Sequence, residues 1–81
     1  MGGGNMQAFV LVSLNECKEG KCIEEFKSLK EVKNAYVLFG EWDMLLEIKS
    51  DSAEDLGTFV MEKIRSKPEV KLTSSLIVAG K

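Results

Sequence analysis

In the first half of the chain the spacing of apolar residues changes from that of a strand to that of a helix and back. Residues 7–14 carry apolar side chains at both parities, which predicts a first strand that is apolar on both sides. From about residue 18 to residue 30 the apolar positions recur every three or four residues, as on one stripe of a helix. They are Cys22, Ile23, Phe26 and Leu29. Residues 32–40 return to β-branched and aromatic side chains and predict a second strand.

The second half repeats the change from strand to helix and back. Residues 44–49 predict a third strand. Ser52 offers an N-cap, with Asp55 three residues beyond it as in a capping box, so a second helix is predicted from there to about residue 66. Pro68 ends that helix, and residues 70–79 predict the last strand.

The order of strand, helix, strand, strand, helix and strand predicts an α+β fold of the ferredoxin-like βαββαβ type. Such a fold has a four-stranded antiparallel sheet with both helices on one face. Residues 6–81 form the predicted domain. Residues 1–5, with three consecutive glycines before a second methionine at Met6, are interpreted as a flexible lead or an expression scar.

Apolar residues are predicted on both faces of this sheet, although two helices cover only one. A monomer should carry polar side chains on the other face, as half-solvated antiparallel sheets do. Here the first strand is apolar at both parities. In the second strand Ala35, Val37 and Phe39 alternate with Tyr36 and Leu38. A contiguous apolar patch marks an interface, so we expect at least a homodimer formed by sheet-to-sheet pairing, with the choice of face left open.

Composition removes several classes of function. Eleven basic and thirteen acidic residues give a formal charge of −2, and no basic cluster with aromatics supports direct nucleic-acid binding. There is no histidine, the usual general base and the commonest metal ligand. The longest apolar run, residues 8–12, is far below the roughly 20 residues of a membrane span. We expect no cofactor, no membrane contact and no catalysis.

The two cysteines indicate the cellular compartment of the protein and do not indicate a metal or disulfide site. Cys17 and Cys22 are too few for a disulfide scaffold and lack zinc-ligand spacing, so no metal is expected and a reducing, cytoplasmic setting is predicted. Cys22 lies on the apolar helix stripe and is interpreted as a small buried hydrophobe. Cys17 is interpreted as a free thiol in a loop.

The polar cluster with most functional promise is the hairpin loop at residues 40–43. Glycine tolerates positive φ and aspartate hydrogen-bonds its own backbone, so turn formation alone explains much of it. Trp42 is different, because a large aromatic side chain at a loop tip is expected to cover a neighbouring subunit or a ligand.

Several segments of the chain together match a known pattern. They are Ala8-Phe9-Val10-Leu11-Val12, Val32 with Ala35-Tyr36-Val37, Gly40-Glu41-Trp42-Asp43-Met44-Leu45-Leu46-Glu47-Ile48, Ile64-Arg65-Ser66 before Pro68-Glu69-Val70, and Thr73-Ser74-Ser75-Leu76-Ile77-Val78. In them the chain resembles the effector-binding domain of the Lrp/AsnC (feast/famine) transcriptional regulators over nearly its whole length after Met6. Those regulators normally carry a helix-turn-helix ahead of this domain, and this sequence has none. It therefore resembles the stand-alone form, known as the RAM domain.

The resemblance implies partners and a ligand site. It implies sheet-to-sheet dimers that can assemble into octamers, with an amino-acid effector held between dimers near the loop that joins the second and third strands. The residues that would line this pocket are Gly40, Glu41, Trp42 and Asp43, with Thr73 and Ser75 as polar contacts. Trp42 stands where tyrosine is common and Ser75 where threonine is common, so the resemblance does not specify the amino acid.

The leading hypothesis is a non-catalytic amino-acid-sensing module that acts as a ligand-responsive oligomer or pairs with full-length Lrp/AsnC regulators. Loop amides would hold the carboxylate while Asp43 accepts from the ammonium group. Two alternatives remain open. A dimeric α+β-barrel enzyme shares the strand order and the sheet pairing, although the lack of histidine argues against it. The other alternative is a purely structural assembly module.

Overall fold

The computed structural model of the protein describes residues 6–15 and 21–79. Its elements are β1 (Met6–Leu14), α1 (Lys21–Lys27), β2 (Val32–Val37), β3 (Met44–Ser50), α2 (Ala53–Phe59), a π-helical segment (Val60–Ile64) and β4 (Val70–Ile77). The predicted order of strands and helices is confirmed. The predicted lead at residues 1–5 and the expected start of the first helix before residue 21 lie outside the described residues.

The four strands form one antiparallel sheet in the order β2-β3-β1-β4. β1 lies inside the sheet, so that Val10 is opposite Leu46 of β3 on one side and Ser75 of β4 on the other. Each pair of strands joined through a helix, β1 with β2 and β3 with β4, is separated by one strand in the sheet, as the two crossover connections of this fold give. This is the ferredoxin-like order, and the predicted fold class is confirmed.

One face of the sheet shares a single core with the helical segments. The buried strand residues are Ala8, Val10, Val12, Val32, Met44, Leu46 and Ile48, and the buried helical residues are Cys22, Phe26, Leu56, Phe59, Val60 and Ile64. In β1 and β3 the buried residues all have even numbers, so both helices cover the same face, as predicted. Burying one large apolar side chain contributes about 1.5–3 kcal/mol, so these residues supply the main favourable term in folding.

The face away from the helices remains apolar. Phe9 and Leu11 of β1 are partly buried by their neighbours, whereas Tyr36, Leu72 and Leu76 keep 48%, 58% and 49% of their surface exposed. The expected apolar patch on an uncovered sheet face is confirmed. The structure also decides its parity, because the odd-numbered residues of β1 point away from the helices.

The second helix begins at the predicted cap and then changes its pitch. The Ser52 hydroxyl accepts from the Asp55 N–H at 3.1 Å, as the capping pattern predicted. From Val60 the helix widens, and the Arg65 N–H donates to the Val60 carbonyl at 2.7 Å, five residues back. No signal in the sequence predicted this π-helical segment.

Candidate functional site

The loop that joins β2 and β3 contains four of the predicted site residues. β2 ends at Val37, three residues earlier than expected, because the Leu38 N–H donates to the Asp43 carbonyl at 2.8 Å and closes the loop. Gly40 has a φ of +156°, a conformation that residues with a Cβ rarely adopt. No atom lies within 4 Å of the place where its Cβ would stand. Backbone conformation, not a close neighbour, therefore requires the glycine.

Asp43 connects this loop to the central part of the sheet. Its Oδ2 accepts from the Leu14 N–H at 2.7 Å, and its own N–H donates to the Val12 carbonyl at 2.9 Å. The Leu14 N–H belongs to the point where the register of β1 against β4 shifts, and ladder hydrogen bonds are disrupted at such shifts. Sequence reasoning missed this structural role, since the donor lies 29 residues away along the chain.

The other two loop residues of the predicted site differ in exposure. Glu41 is exposed, whereas Trp42 is partly buried. Phe39, beside them, is fully exposed. The loop therefore presents aromatic surface next to backbone amides and a carboxylate, which is a combination that suits an interface or a small amphipathic ligand.

Thr73 and Ser75 lie on β4, opposite Val12 and Val10 of β1. Thr73 is partly buried and Ser75 is exposed, because the helical layer leaves a gap above this edge strand. A cavity of about 590 Å³ occupies the gap between β4, α2 and the π-helical segment. Its polar lining comes from Glu54, Thr58, Arg65, Thr73 and Ser75.

A single protomer does not join the two groups of predicted residues into one pocket. Val12 is opposite both Met44, the residue after the loop, and Thr73. Loop and hydroxyl groups therefore share one end of the sheet, but β1 separates them by two strand spacings, roughly 10 Å. Residues 40–43 contribute no wall to the cavity that Thr73 and Ser75 line.

A polar network occupies one corner of the open face. Glu47 accepts from the Asn34 amide through Oε1 at 2.7 Å and from the Gln7 amide through Oε2 at 2.8 Å. The hydrogen bonds from Asn34 and from Gln7 hold the pKa of the Glu47 carboxyl below its ordinary value of 4.5, with Lys33 adding to the effect. Sequence reasoning missed this network, although three polar residues on otherwise apolar strands were a readable signal.

Two absences are observed in residues 6–15 and 21–79. No three acidic, cysteine or histidine side chains in these ranges gather where they would hold a metal ion. No helix in them is both long and apolar enough to cross a bilayer.

Cys22 is buried in the core, as expected, but it is also disulfide-bonded, so it is more than a small hydrophobe. Residue 17 lies outside the described residues, and so does the prediction made for it. Disulfides are rare in reducing compartments outside hyperthermophiles. The cytoplasmic assignment, which relied on the cysteines, therefore stays a prediction.

Comparison with known proteins shows the family. The family model described as the Lrp/AsnC ligand binding domain matches residues 7–80 of this chain. The proline dehydrogenase transcriptional activator of Rhizobium radiobacter is 33% identical over 75 residues, which are 88% of this chain and 47% of that protein. The chain spans about half the length of the curated relatives it matches.

Solved structures agree with this assignment. The crystal structure of FFRP-DM1 superposes with a TM-score of 0.83 at 38% identity, covering 90% of this chain and 97% of that chain. A transcriptional regulator of Neisseria meningitidis in complex with L-Met gives a TM-score of 0.83 at 26% identity, covering 94% of this chain and 51% of that one.

Fold and sequence match together define a class of protein, the regulatory ligand-binding domains of transcription regulators. Within that class, the chain belongs to the Lrp/AsnC ligand-binding domain family, as the resemblance in its sequence implied.

Proposed function

We propose that this chain is a non-catalytic, cytoplasmic regulatory module that binds a small amino-acid effector between copies of itself. It would act as a ligand-responsive oligomer or pair with full-length Lrp/AsnC regulators. The observation that carries the proposal is the match of residues 7–80 to the Lrp/AsnC ligand binding domain. The likeness to a regulator in complex with L-Met supports an amino acid as the ligand class.

Self-association through the open face is supported by the apolar residues there. Leu11 and Leu45 are direct cross-strand neighbours, and Phe9 is opposite Leu76. Packing two such faces together removes apolar surface from water at about 25 cal/mol per Å². Two-fold pairing of one face with itself is the simplest closed arrangement, and dimers of this kind would be the units of a larger assembly such as an octamer.

The effector would lie where the loop of one protomer meets β4 of another. This arrangement would bring Gly40, Glu41, Trp42 and Asp43 together with Thr73 and Ser75, which stay apart within one protomer. Loop amides would hold the carboxylate. Because Oδ2 of Asp43 is engaged by the Leu14 N–H, its other oxygen, Oδ1, would accept from the ammonium group.

Calorimetric titration with each of the twenty amino acids, beginning with L-methionine, tests the proposal. At least one amino acid should bind saturably. Trp42 is the single tryptophan of the chain, so its fluorescence reports on the loop and should change at the same ligand concentration.

Two hydroxyl variants sharpen this test. Thr73→Val removes a hydroxyl from the proposed site and should weaken binding, whereas Ser28→Ala removes one beyond the end of α1 and should not. A stable oligomer that binds none of the twenty amino acids would support the assembly module instead. Turnover of a substrate would support the barrel enzyme.

A further inference from the structure

We propose that Arg65, together with Lys71 and the Thr73 hydroxyl, forms a carboxylate-binding corner of the effector site. This inference rests on the proposed function, because Thr73 belongs to the site described there. It adds two cations, Arg65 and Lys71, that were not among the predicted site residues.

Arg65 and Thr73 stand at the boundary between two recesses. Both line the cavity of about 590 Å³ between the helical layer and β4. Both also line a neighbouring cavity of about 240 Å³, whose wall includes Lys71. A ligand group at this boundary would therefore meet a guanidinium, an ammonium and a hydroxyl.

The side chains of Thr73 and Ser75 on β4 line the larger cavity and do not belong to the buried core. Val12 and Val10, opposite Thr73 and Ser75 in β1, are fully buried on the same side of the sheet. A strand that only completed the core would carry apolar side chains at these positions. Lys71 lies beside the register shift at Ser13 and Leu14, and bulges of this kind re-aim side chains next to functional sites.

The π-helical segment determines where Arg65 points. A π turn adds one residue to the helix, which rotates everything after it by about 100° relative to an uninterrupted α-helix. The 2.7 Å bond from the Arg65 N–H to the Val60 carbonyl closes this turn. Single π turns occur frequently at functional sites. Here the wider turn leaves Arg65 on the wall of both cavities.

Arg65 and Lys71 form no salt bridge within residues 6–15 and 21–79. The salt bridge in these ranges joins Lys67 to Glu25 at 3.3 Å. Glu54 lines the larger cavity at its other end, eleven residues from Arg65 and roughly 16 Å along the helix. A guanidinium fork and a hydroxyl are the donors that suit a carboxylate. Every amino acid brings an α-carboxylate, which this corner would hold together with the loop amides. Acidic amino acids bring a second carboxylate, which the corner would hold alone, so the chemistry has two sources.

Two ligand pairs separate these sources in calorimetric titrations. L-methionine and L-methioninamide differ in the α-carboxylate, and L-glutamate and L-glutamine differ in the side-chain charge. Both pairs are titrated into the wild type and into Arg65→Gln. Lys63→Gln is the matched control, because it removes one positive charge two residues before Arg65, inside the π-helical segment, at a position that lines neither cavity.

Arg65→Gln should weaken binding of the contacted carboxylate about tenfold or more, as loss of a charge-assisted hydrogen bond does. Lys63→Gln should leave binding unchanged, and Arg65→Lys should restore part of the loss. If the α-carboxylate is contacted, methionine weakens while methioninamide does not. If the side-chain carboxylate is contacted, the preference for glutamate over glutamine disappears.

Three results would overturn the inference. In the first, Arg65→Gln binds both pairs as the wild type does while Thr73→Val binds more weakly, which leaves the proposed function intact. In the second, Arg65→Gln weakens methionine and methioninamide equally and also weakens glutamate and glutamine equally, which indicates a structural role. In the third, the wild type binds none of the twenty amino acids, and the proposed function fails as well.

Discussion

Asp43 offers the sharpest separation of structure from ligand binding, because its carboxylate has a defined structural partner, the Leu14 N–H. Asp43→Ala removes the acceptor of the partly buried Leu14 N–H, which is held at 2.7 Å. Leaving a buried donor unpaired costs about 1–3 kcal/mol. Asp43→Asn keeps an amide oxygen that accepts the same hydrogen bond, so its cost should stay within about 1 kcal/mol.

These free energies convert into a measurable difference in melting temperature. In a domain of this size 1 kcal/mol corresponds to roughly 4–8 °C. Asp43→Ala should therefore lower Tm by about 4–24 °C, and Asp43→Asn by less than about 8 °C, when unfolding is followed by circular dichroism.

Asp43→Asn should lose little stability but much ligand affinity, because it folds but lacks the negative charge. Loss of a charge-assisted hydrogen bond to the ammonium group costs about 1.5–3 kcal/mol, a tenfold or greater loss of affinity in calorimetry. Wild-type affinity in Asp43→Asn would refute the ligand role of Asp43. A Tm that collapses in Asp43→Asn as far as in Asp43→Ala would show that the fold itself needs the charge.

Further predictions concern the sheet faces, the loop and acid stability. Leu11→Lys on the open face should give a folded monomer in sedimentation equilibrium, whereas Val10→Lys should unfold the chain, because a buried unpaired charge costs several kcal/mol. Unchanged assembly in Leu11→Lys would place the interface elsewhere. Gly40→Ala should lower the unfolding free energy by about 1–3 kcal/mol from its positive φ, and an unchanged urea midpoint would contradict that reasoning. The pKa of Glu47 is lowered in the folded state, so the unfolded state binds more protons below pH 4.5, and the stability from its hydrogen bonds is lost as the pH falls through the folded pKa. Glu47→Gln should remove this acid dependence, and identical acid profiles of the two proteins would argue against it.

Much of the fold was predictable from local chemistry. The Ser52 cap and the stop near Pro68 bounded the second helix, and alternation or three-and-four spacing assigned the other elements. These signals act between residues a few positions apart, where backbone geometry is nearly the same in every fold. The family pattern likewise named the loop and β4 as the candidate site. Motifs made of neighbouring residues can be read from one sequence without knowledge of the fold.

What only the tertiary structure decided depends on strand register and on helix packing. A strand apolar at both parities, such as β1, fits a core on either side, and the pairing of β1 with β3 and β4 selected the even-numbered residues. The contact between Asp43 and Leu14 and the π turn before Arg65 arise from the same long-range arrangement. So does the separation of the loop from Thr73. Such contacts join residues far apart in the chain, and their free energies are determined by how whole elements pack, which no local pattern encodes.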